Sequence, residues 1–202
     1  LPAGESITGL SGAEGFLYGL SSNCGGSTSL WMLDPADGSV TTIGNTGIGC
    51  GIDLAYVPGE NAIYVVDIVS DATFRVDPAT ATATELGPTG VNANYAQDLD
   101  YDEESGVLYW AAYTSVPELR VIDLETGASA LVAPFASGEV DAFAIPTGGS
   151  ADVPWLSESP SEGSAPSHEV TAIQVTFDVA GIEQPGDYSA EIKIKQNTPY
   201  PL

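Results

Sequence analysis

The chain has 202 residues, 43% of them hydrophobic, and carries 28 acidic residues against four basic ones, for a formal net charge of −24. The apolar content excludes global disorder, and the scarcity of Lys and Arg excludes binding to nucleic acid or to an anionic membrane. No run approaches the roughly 18 apolar residues that insertion into a bilayer requires. The acidity leaves three explanations open: a solvated surface, adaptation to high salt, or binding of cations such as Ca²⁺.

Glycine, proline and small polar residues separate short apolar runs, which is typical of an all-β protein with many strands joined by turns. The first residue, Leu1, is neither an initiator Met nor the start of a signal peptide. We expect the chain to be a mature or excised part of a longer secreted precursor.

Three segments of about 45 residues repeat along the chain. The landmarks Tyr18, Tyr64 and Tyr109 recur at intervals of 46 and 45 residues. This period is typical of the blades of a β-propeller, each of which has four antiparallel strands. The predicted four-stranded repeats span about 7–49, 51–94 and 96–138, an extra strand covers 139–146, and the strands of the second repeat cover 51–57, 62–67, 73–77 and 82–86.

A turn opened by aspartate recurs in each repeat. Asp34, Asp77 and Asp123 hold the same place at intervals of 43 and 46 residues. A proline follows the first two, where its fixed φ suits the second position of a type I turn. Gly38 and Gly127 then supply the positive φ that reverses the chain.

The repeats resemble those of secreted bacterial β-propellers, which have the pattern LYxxDxxTGxxTxIGxTG followed by GLAYDPxxGxLY. The resemblance is carried by LWMLDPADGSVTTIGNTG, FRVDPATATATELGPTG and DLDYDEESGVLY, and it covers residues 7–146. It implies a propeller fold and an extracellular location, but no particular activity, since propellers have many unrelated functions.

Three repeats are too few for a ring, because propellers close with about four to eight blades. The sequence therefore predicts a partial or oligomer-completed propeller. Other blades lie outside this chain, or chains assemble, or the repeats form an open stack whose exposed edge strands invite pairing.

A second module follows a linker of small residues at 147–154. Residues 155–202 resemble an immunoglobulin-like β-sandwich module of bacterial surface proteins, through PWLS at 154–157, VTFD at 175–178 and GDY at 186–188. The strands that usually precede PWL in that family are missing, and about 50 residues bury only a thin core. We expect this module to pack on the blades or to take a strand from a partner.

Cys24 and Cys50 are the two cysteines of the chain, and both lie in predicted loops of the first repeat. Their even count and the secreted type of the repeats favour a disulfide over a redox or metal-binding pair.

Aspartates are the best candidate metal ligands. Asp53, Asp98 and Asp141 begin the predicted innermost strands, where a ring brings their carboxylates to one end of the channel, and Asp98, Asp100 and Asp102 alternate onto one strand face. Two interpretations stay open: these residues hold Ca²⁺, or each accepts backbone hydrogen bonds in its own turn. The acidic run lacks the order of an EF-hand.

The remaining candidates favour structural roles. His168 has no nucleophile elbow to make a catalytic triad, and one His with two distant Cys does not make a zinc site. Trp31 and Trp110 are predicted between stacked blades and Trp155 in the core of the second module, with stacking against sugars as the alternative.

These observations predict a non-enzymatic extracellular structural or adhesive protein. Its expected partners are copies of itself or other surface proteins, with inter-chain strand pairing completing its modules. Two alternatives stay open: a propeller that binds a ligand or Ca²⁺, or acts as an enzyme, at its channel mouth, and an accessory region of a longer secreted hydrolase. No cofactor other than Ca²⁺ is expected.

Overall fold

The computed structural model describes residues 5–13, 15–95, 97–145, 155–161 and 170–180. The chain folds into two units, Leu1–Thr147 and Gly148–Leu202. The described strands are β1 (Ser6–Ala13), β2 (Phe16–Ser22), β3 (Thr28–Leu33), β4 (Val40–Asn45), β5 (Gly51–Val57), β6 (Ala62–Asp67), β7 (Ala72–Val76), β8 (Ala83–Pro88), β9 (Asp98–Asp102), β10 (Val107–Tyr113), β11 (Pro117–Ile122), β12 (Ser129–Pro134), β13 (Leu156–Ser159) and β14 (Gln174–Phe177). A 3-10 turn at Pro58–Glu60 follows β5.

The first unit contains three four-stranded antiparallel sheets, and each is made of four strands consecutive in the chain. The sheets are β1 to β4, β5 to β8 and β9 to β12, which we call the first, second and third blades. This all-β arrangement is a partial β-propeller and confirms the predicted fold class. The strands of the second blade begin and end within two residues of the predicted bounds.

The predicted aspartate turn is present in all three blades. In each, Oδ1 of the aspartate accepts the N–H of the residue two further on, at 2.8–3.0 Å. Backbone N–H donors of this kind lower the pKa of Asp77 and Asp123 because they stabilise the ionised carboxylate. The residue four after the aspartate has a positive φ of 73° at Gly38, 60° at Ala81 and 72° at Gly127. The second blade thus uses alanine here, and that side chain is fully buried.

Two hydrophobic clusters join successive blades. The cluster of the first and second blades contains Leu20, Leu30, Ile48, Leu54, Ile63, Val65, Val76 and Ala81. The cluster of the second and third blades contains Ala55, Val57, Ala62, Tyr64, Val66, Ala93, Leu99, Leu108, Trp110, Ala112 and Ile122. Successive residues of a strand face opposite sides of its sheet, so β6 supplies both clusters and is buried along its whole length.

The predicted strand at 139–146 is not formed in its described part, residues 139–145. This prediction was wrong for a physical reason: the N–H groups of Phe143 and Ile145 bond to side-chain carboxylates and not to the backbone of a neighbouring strand. The segment is therefore attached to the third blade without joining a β-ladder.

In the second unit, β13 pairs with β14 in an antiparallel sheet. The Trp155 ring stacks on that of Phe177, with centroids 6.5 Å apart and planes 18° apart. The predicted linker and His168 lie outside the described residues, and the immunoglobulin-like module stays a prediction. Among the residues that the structure describes, no helix is long and apolar enough to cross a membrane.

Candidate functional site

The first strand of each blade lies beside the first strand of the next, so β1, β5 and β9 form the inner edge of the arc. Two positions on each inner strand can be matched between blades, because they pair with corresponding residues of the second strand of the blade. We call them acceptor positions, since their side chains can accept hydrogen bonds from the next inner strand. The first acceptor position is held by Gly9, Asp53 and Asp98. The second acceptor position is held by Ser11, Ala55 and Asp100.

These positions receive hydrogen bonds from the next inner strand. The Oγ of Ser11 accepts the N–H of Tyr56 at 2.9 Å, and Oδ2 of Asp53 accepts the buried N–H of Leu99. Each of these two interfaces thus uses one of its two acceptor positions, because Gly9 and Ala55 have no polar side chain. The inner strands are joined through side chains, although each also remains the edge of its own sheet.

The third blade uses both acceptor positions. Oδ2 of Asp98 accepts the N–H of Phe143, and Oδ2 of Asp100 accepts the N–H of Ile145 at 2.6 Å. Phe143 therefore takes the place that Leu99 takes in the preceding interface. Residues 141–145 lie where the inner strand of a fourth blade would begin.

This register corrects one prediction. Because Phe143 corresponds to Leu99, the residue that matches Asp98 is Ala142 and not Asp141. Asp141 is exposed and lies one position ahead of the repeat of aspartates. The prediction followed the residue type: Asp141 is 43 residues after Asp98, whereas the matched positions Asp98 and Ala142 are 44 residues apart, as are Gly9 and Asp53.

Asp53 is 2% exposed. Its pKa lies well above the ordinary value because burial removes it from water, and because it hydrogen-bonds with the Asp98 carboxylate and is repelled by that group's charge. The N–H groups of Leu99 and Leu54 offset part of this effect. Asp53 therefore holds a proton at pH values where an exposed aspartate is ionised.

We expect Asp53→Asn to remove a pH dependence of stability. A raised folded-state pKa contributes stability that is complete below the unfolded value of about 3.9 and is lost as pH rises through the folded pKa. Asparagine keeps an acceptor for the N–H of Leu99 and a donor for Asp98, but it does not titrate. The free energy of unfolding of the variant should therefore lack the part of the pH dependence that Asp53 causes. Urea unfolding at a series of pH values measures the slope, and an unchanged slope in Asp53→Asn contradicts the assignment.

Asp53→Ala is the matched control for that experiment. It leaves the buried N–H of Leu99 without its acceptor, which costs about 1–3 kcal/mol. We expect a loss of that size at pH 4, where the wild-type carboxyl is protonated.

The predicted calcium ligands serve mainly as backbone acceptors. Asp102 accepts the N–H of Glu104 at 3.0 Å and the hydroxyl of Ser105 at 2.6 Å, as the alternative interpretation predicts. In the described ranges, no group of three or more His, Cys, Asp or Glu side chains is placed to hold a metal ion. Calcium binding stays a prediction.

Cys24 and Cys50 form the predicted disulfide, with Cα atoms 4.2 Å apart. It joins the loop between β2 and β3 to the connection between the first and second blades. The buried carboxylate of Asp67 supports the same connection, because it accepts the N–H of Cys50 at 2.8 Å and that of Val69 at 3.0 Å. A disulfide of this kind indicates an oxidising compartment, extracellular or periplasmic.

The first blade has an apolar face that points away from the second blade. We call Leu10, Trp31, Leu33 and Val40 the first-blade face. The side chains of Leu10, Trp31 and Leu33 converge over Gly19, where a Cβ would lie 2.9–3.8 Å from them, and Val40 pairs with Leu33. Leu10 is 53% exposed and Val40 is 55% exposed.

The second blade shows what this face does when it is covered. The register matches the four residues of the first-blade face with Leu54, Phe74, Val76 and Ala83. All four pack in the cluster between the first and second blades. The first-blade face is thus a blade-packing face, and no described blade covers it.

The two tryptophans of the blades differ from each other. Trp110 is fully buried between the second and third blades and donates from Nε1 to Oε1 of Gln97 at 2.7 Å, which confirms its predicted place. Trp31 lies on the first-blade face and donates to Oγ of Ser21 at 2.7 Å. Ser11 and Leu10 were not predicted as functional residues, although Ser11 and Tyr56 are 45 residues apart, which is one period of the repeat.

Solved structures share the fold of the blades. A chain in the crystal structure of a nidogen/laminin complex is 18% identical, with a TM-score of 0.54, over 67% of this chain and 51% of that one. Virginiamycin B lyase from Staphylococcus aureus is 12% identical, with a TM-score of 0.49, over 71% of this chain and 46% of that one. Regucalcin from Agrobacterium tumefaciens is 19% identical, with a TM-score of 0.45, over 62% of this chain and 43% of that one.

This chain therefore spans about half, or less, of the solved chains that it resembles. No protein-family model and no curated protein matches the sequence. Likeness at this level concerns the fold, since propellers have many unrelated functions.

Proposed function

We propose that this chain is a non-enzymatic structural or adhesive protein of the cell surface or extracellular space, and that it acts by associating with further copies of itself. The observation that carries the proposal is the first-blade face. Its residues match four residues that are packed against a neighbouring blade elsewhere in the same molecule, and two of its four side chains are more than half exposed. Exposed apolar faces of this kind are typical of interaction sites.

A second copy is the partner because the chain carries the complementary face. In the packed interface, Tyr18, Leu20 and Leu30 of the first blade face the second. Their register equivalents in the third blade are Tyr109, Ala111 and Leu119. The third blade of one copy can therefore meet the first blade of another in a heterologous contact. Two copies of three blades give six, which lies within the range of closed propellers.

The charge of the chain makes this association dependent on salt. A net charge of −24 repels a second copy, and salt screens that repulsion. We expect sedimentation velocity to show association that strengthens with protein concentration and with ionic strength. A monomer under all these conditions contradicts the proposal.

Leu10→Glu and Val40→Glu test the face directly. Each places a charge on a surface that must lose water on contact, and we expect at least a roughly tenfold weaker association. Val69→Glu is the matched control, because Val69 is 66% exposed in a loop of the second blade and the substitution adds the same charge. Equal effects of the three substitutions would show that only net charge matters.

A further inference from the structure

We infer that Asp98 and Asp100 form a strand-binding site for β1 of a second copy, and that residues 141–145 occupy this site in the free chain. The inference rests on the proposed function, since it names the polar contacts between the two copies. It also goes beyond it, because it predicts a competition between a segment of the chain and its partner.

The register identifies the donors of the second copy. Leu10 matches Leu54 and Leu99, because each pairs with the fourth residue of the second strand in its blade. Gly12, two residues on, matches Tyr56 and Tyr101. In β5 and β9 these positions supply the N–H groups that bond to the preceding blade, from Tyr56 and Leu99. By the same register, Leu10 and Gly12 of β1 are the corresponding donors in a contact between copies.

The third blade has more side-chain acceptors than either of the other two. Asp98 and Asp100 fill both acceptor positions with carboxyl groups. The first two interfaces use one acceptor each, Ser11 or Asp53. Those interfaces join blades of one chain, whose short connections give a high effective concentration. A contact with a second copy has no such connection and needs more anchoring groups.

Residues 141–145 satisfy the same two acceptors within the chain. Phe143 and Ile145 donate with the spacing of two residues that Leu10 and Gly12 also have. The segment belongs to no described β-ladder, and the side chains of Phe143 and Ile145 are half-buried. It can therefore leave the site without breaking a sheet, and while it is bound it excludes β1 of another copy.

The first experiment removes the two competing donors. Proline has no N–H, so Phe143→Pro with Ile145→Pro vacates the site in the full chain. We expect the dissociation constant for self-association to fall at least about tenfold, because a larger fraction of the molecules is competent to bind. Ala142→Pro with Ala144→Pro is the matched control, since alternate N–H groups of an extended segment point away from each other.

Removing the acceptors should weaken self-association, whereas removing the competing donors should strengthen it. Asp98→Ala with Asp100→Ala removes the site itself, and we expect association at least about tenfold weaker than that of the wild type. Stronger association in this variant, or weaker association in the proline variant than in its control, overturns the inference.

Hydrogen exchange distinguishes displacement of residues 141–145 from simple packing of two copies. The amides of Phe143 and Ile145 should exchange faster in the assembled protein than in the monomer, whereas association ordinarily slows exchange at an interface. Slower exchange at these two amides overturns the inference.

If the proline variant associates as the wild type does while Leu10→Glu still weakens association, the strand-binding site is wrong and the proposed function stands. If neither the proline variant nor Leu10→Glu changes association, both the strand-binding site and the proposed function are wrong.

Discussion

Replacing Trp110 by alanine is expected to lower the free energy of unfolding by about 3–5 kcal/mol. Among the described residues, Trp110 is the largest fully buried side chain, and it lies in the cluster between the second and third blades. Its removal leaves a cavity and also leaves Oε1 of the buried Gln97 without its donor, which adds a desolvation cost. Urea denaturation of the oxidised protein measures the change.

Two controls separate these contributions. Trp110→Phe keeps an aromatic ring in the cluster but loses the bond to Gln97, so we expect a smaller loss than for alanine. Tyr109→Ala changes the adjacent residue, which faces away from the second blade and is half-buried, and we expect it to cost less than Trp110→Ala. A loss below about 1 kcal/mol for Trp110→Ala would show that the second and third blades do not depend on this cluster.

Removing the disulfide is expected to cost roughly 3 kcal/mol in the chain-entropy model. Cys24 and Cys50 are 26 positions apart, and the bond restricts the unfolded chain over the loop that they close. Cys24→Ser with Cys50→Ser should therefore lower the midpoint of urea unfolding. It should also raise the m-value, because the unfolded state of the variant exposes more surface.

Reduction of the wild-type protein with a thiol reagent provides the control for this variant. The reduced wild type and the double serine variant should unfold at the same denaturant concentration. If reduction has no effect on the midpoint, the disulfide does not stabilise the first blade and its role is limited to the loop that it closes.

The sequence was sufficient to predict the blades because their signals are local. Tyr18, Tyr64 and Tyr109 each mark the third residue of a second strand, and the aspartate turns depend on neighbours two to four residues away. Short strands and the turns between them are properties that each repeat shows by itself, and comparison of the repeats then gives their period.

The candidate site was harder to predict because it depends on contacts between blades. Asp53 stood out by its spacing, yet its raised pKa arises from burial and from Asp98, which only the assembled arc brings beside it. Asp141 was misplaced by one residue, because the prediction followed the residue type and not the spacing of 44 residues that separates Gly9 from Asp53 and Asp98 from Ala142. Gly9 gave no signal, although a Cβ at that position would collide with Oδ1 of Asp53.

The uneven use of the two acceptor positions has a consequence for how such a protein can be rearranged by recombination. Fusing the first blade directly to the third would place Gly9 opposite Leu99 and Ser11 opposite Tyr101. The hydroxyl of Ser11 would still have a backbone partner, but the N–H of Leu99 would be buried facing a residue without a side chain, at a cost of about 1–3 kcal/mol. The acceptors of each inner strand thus suit the blade that follows it, so the order of the repeats along the chain is itself under a physical constraint.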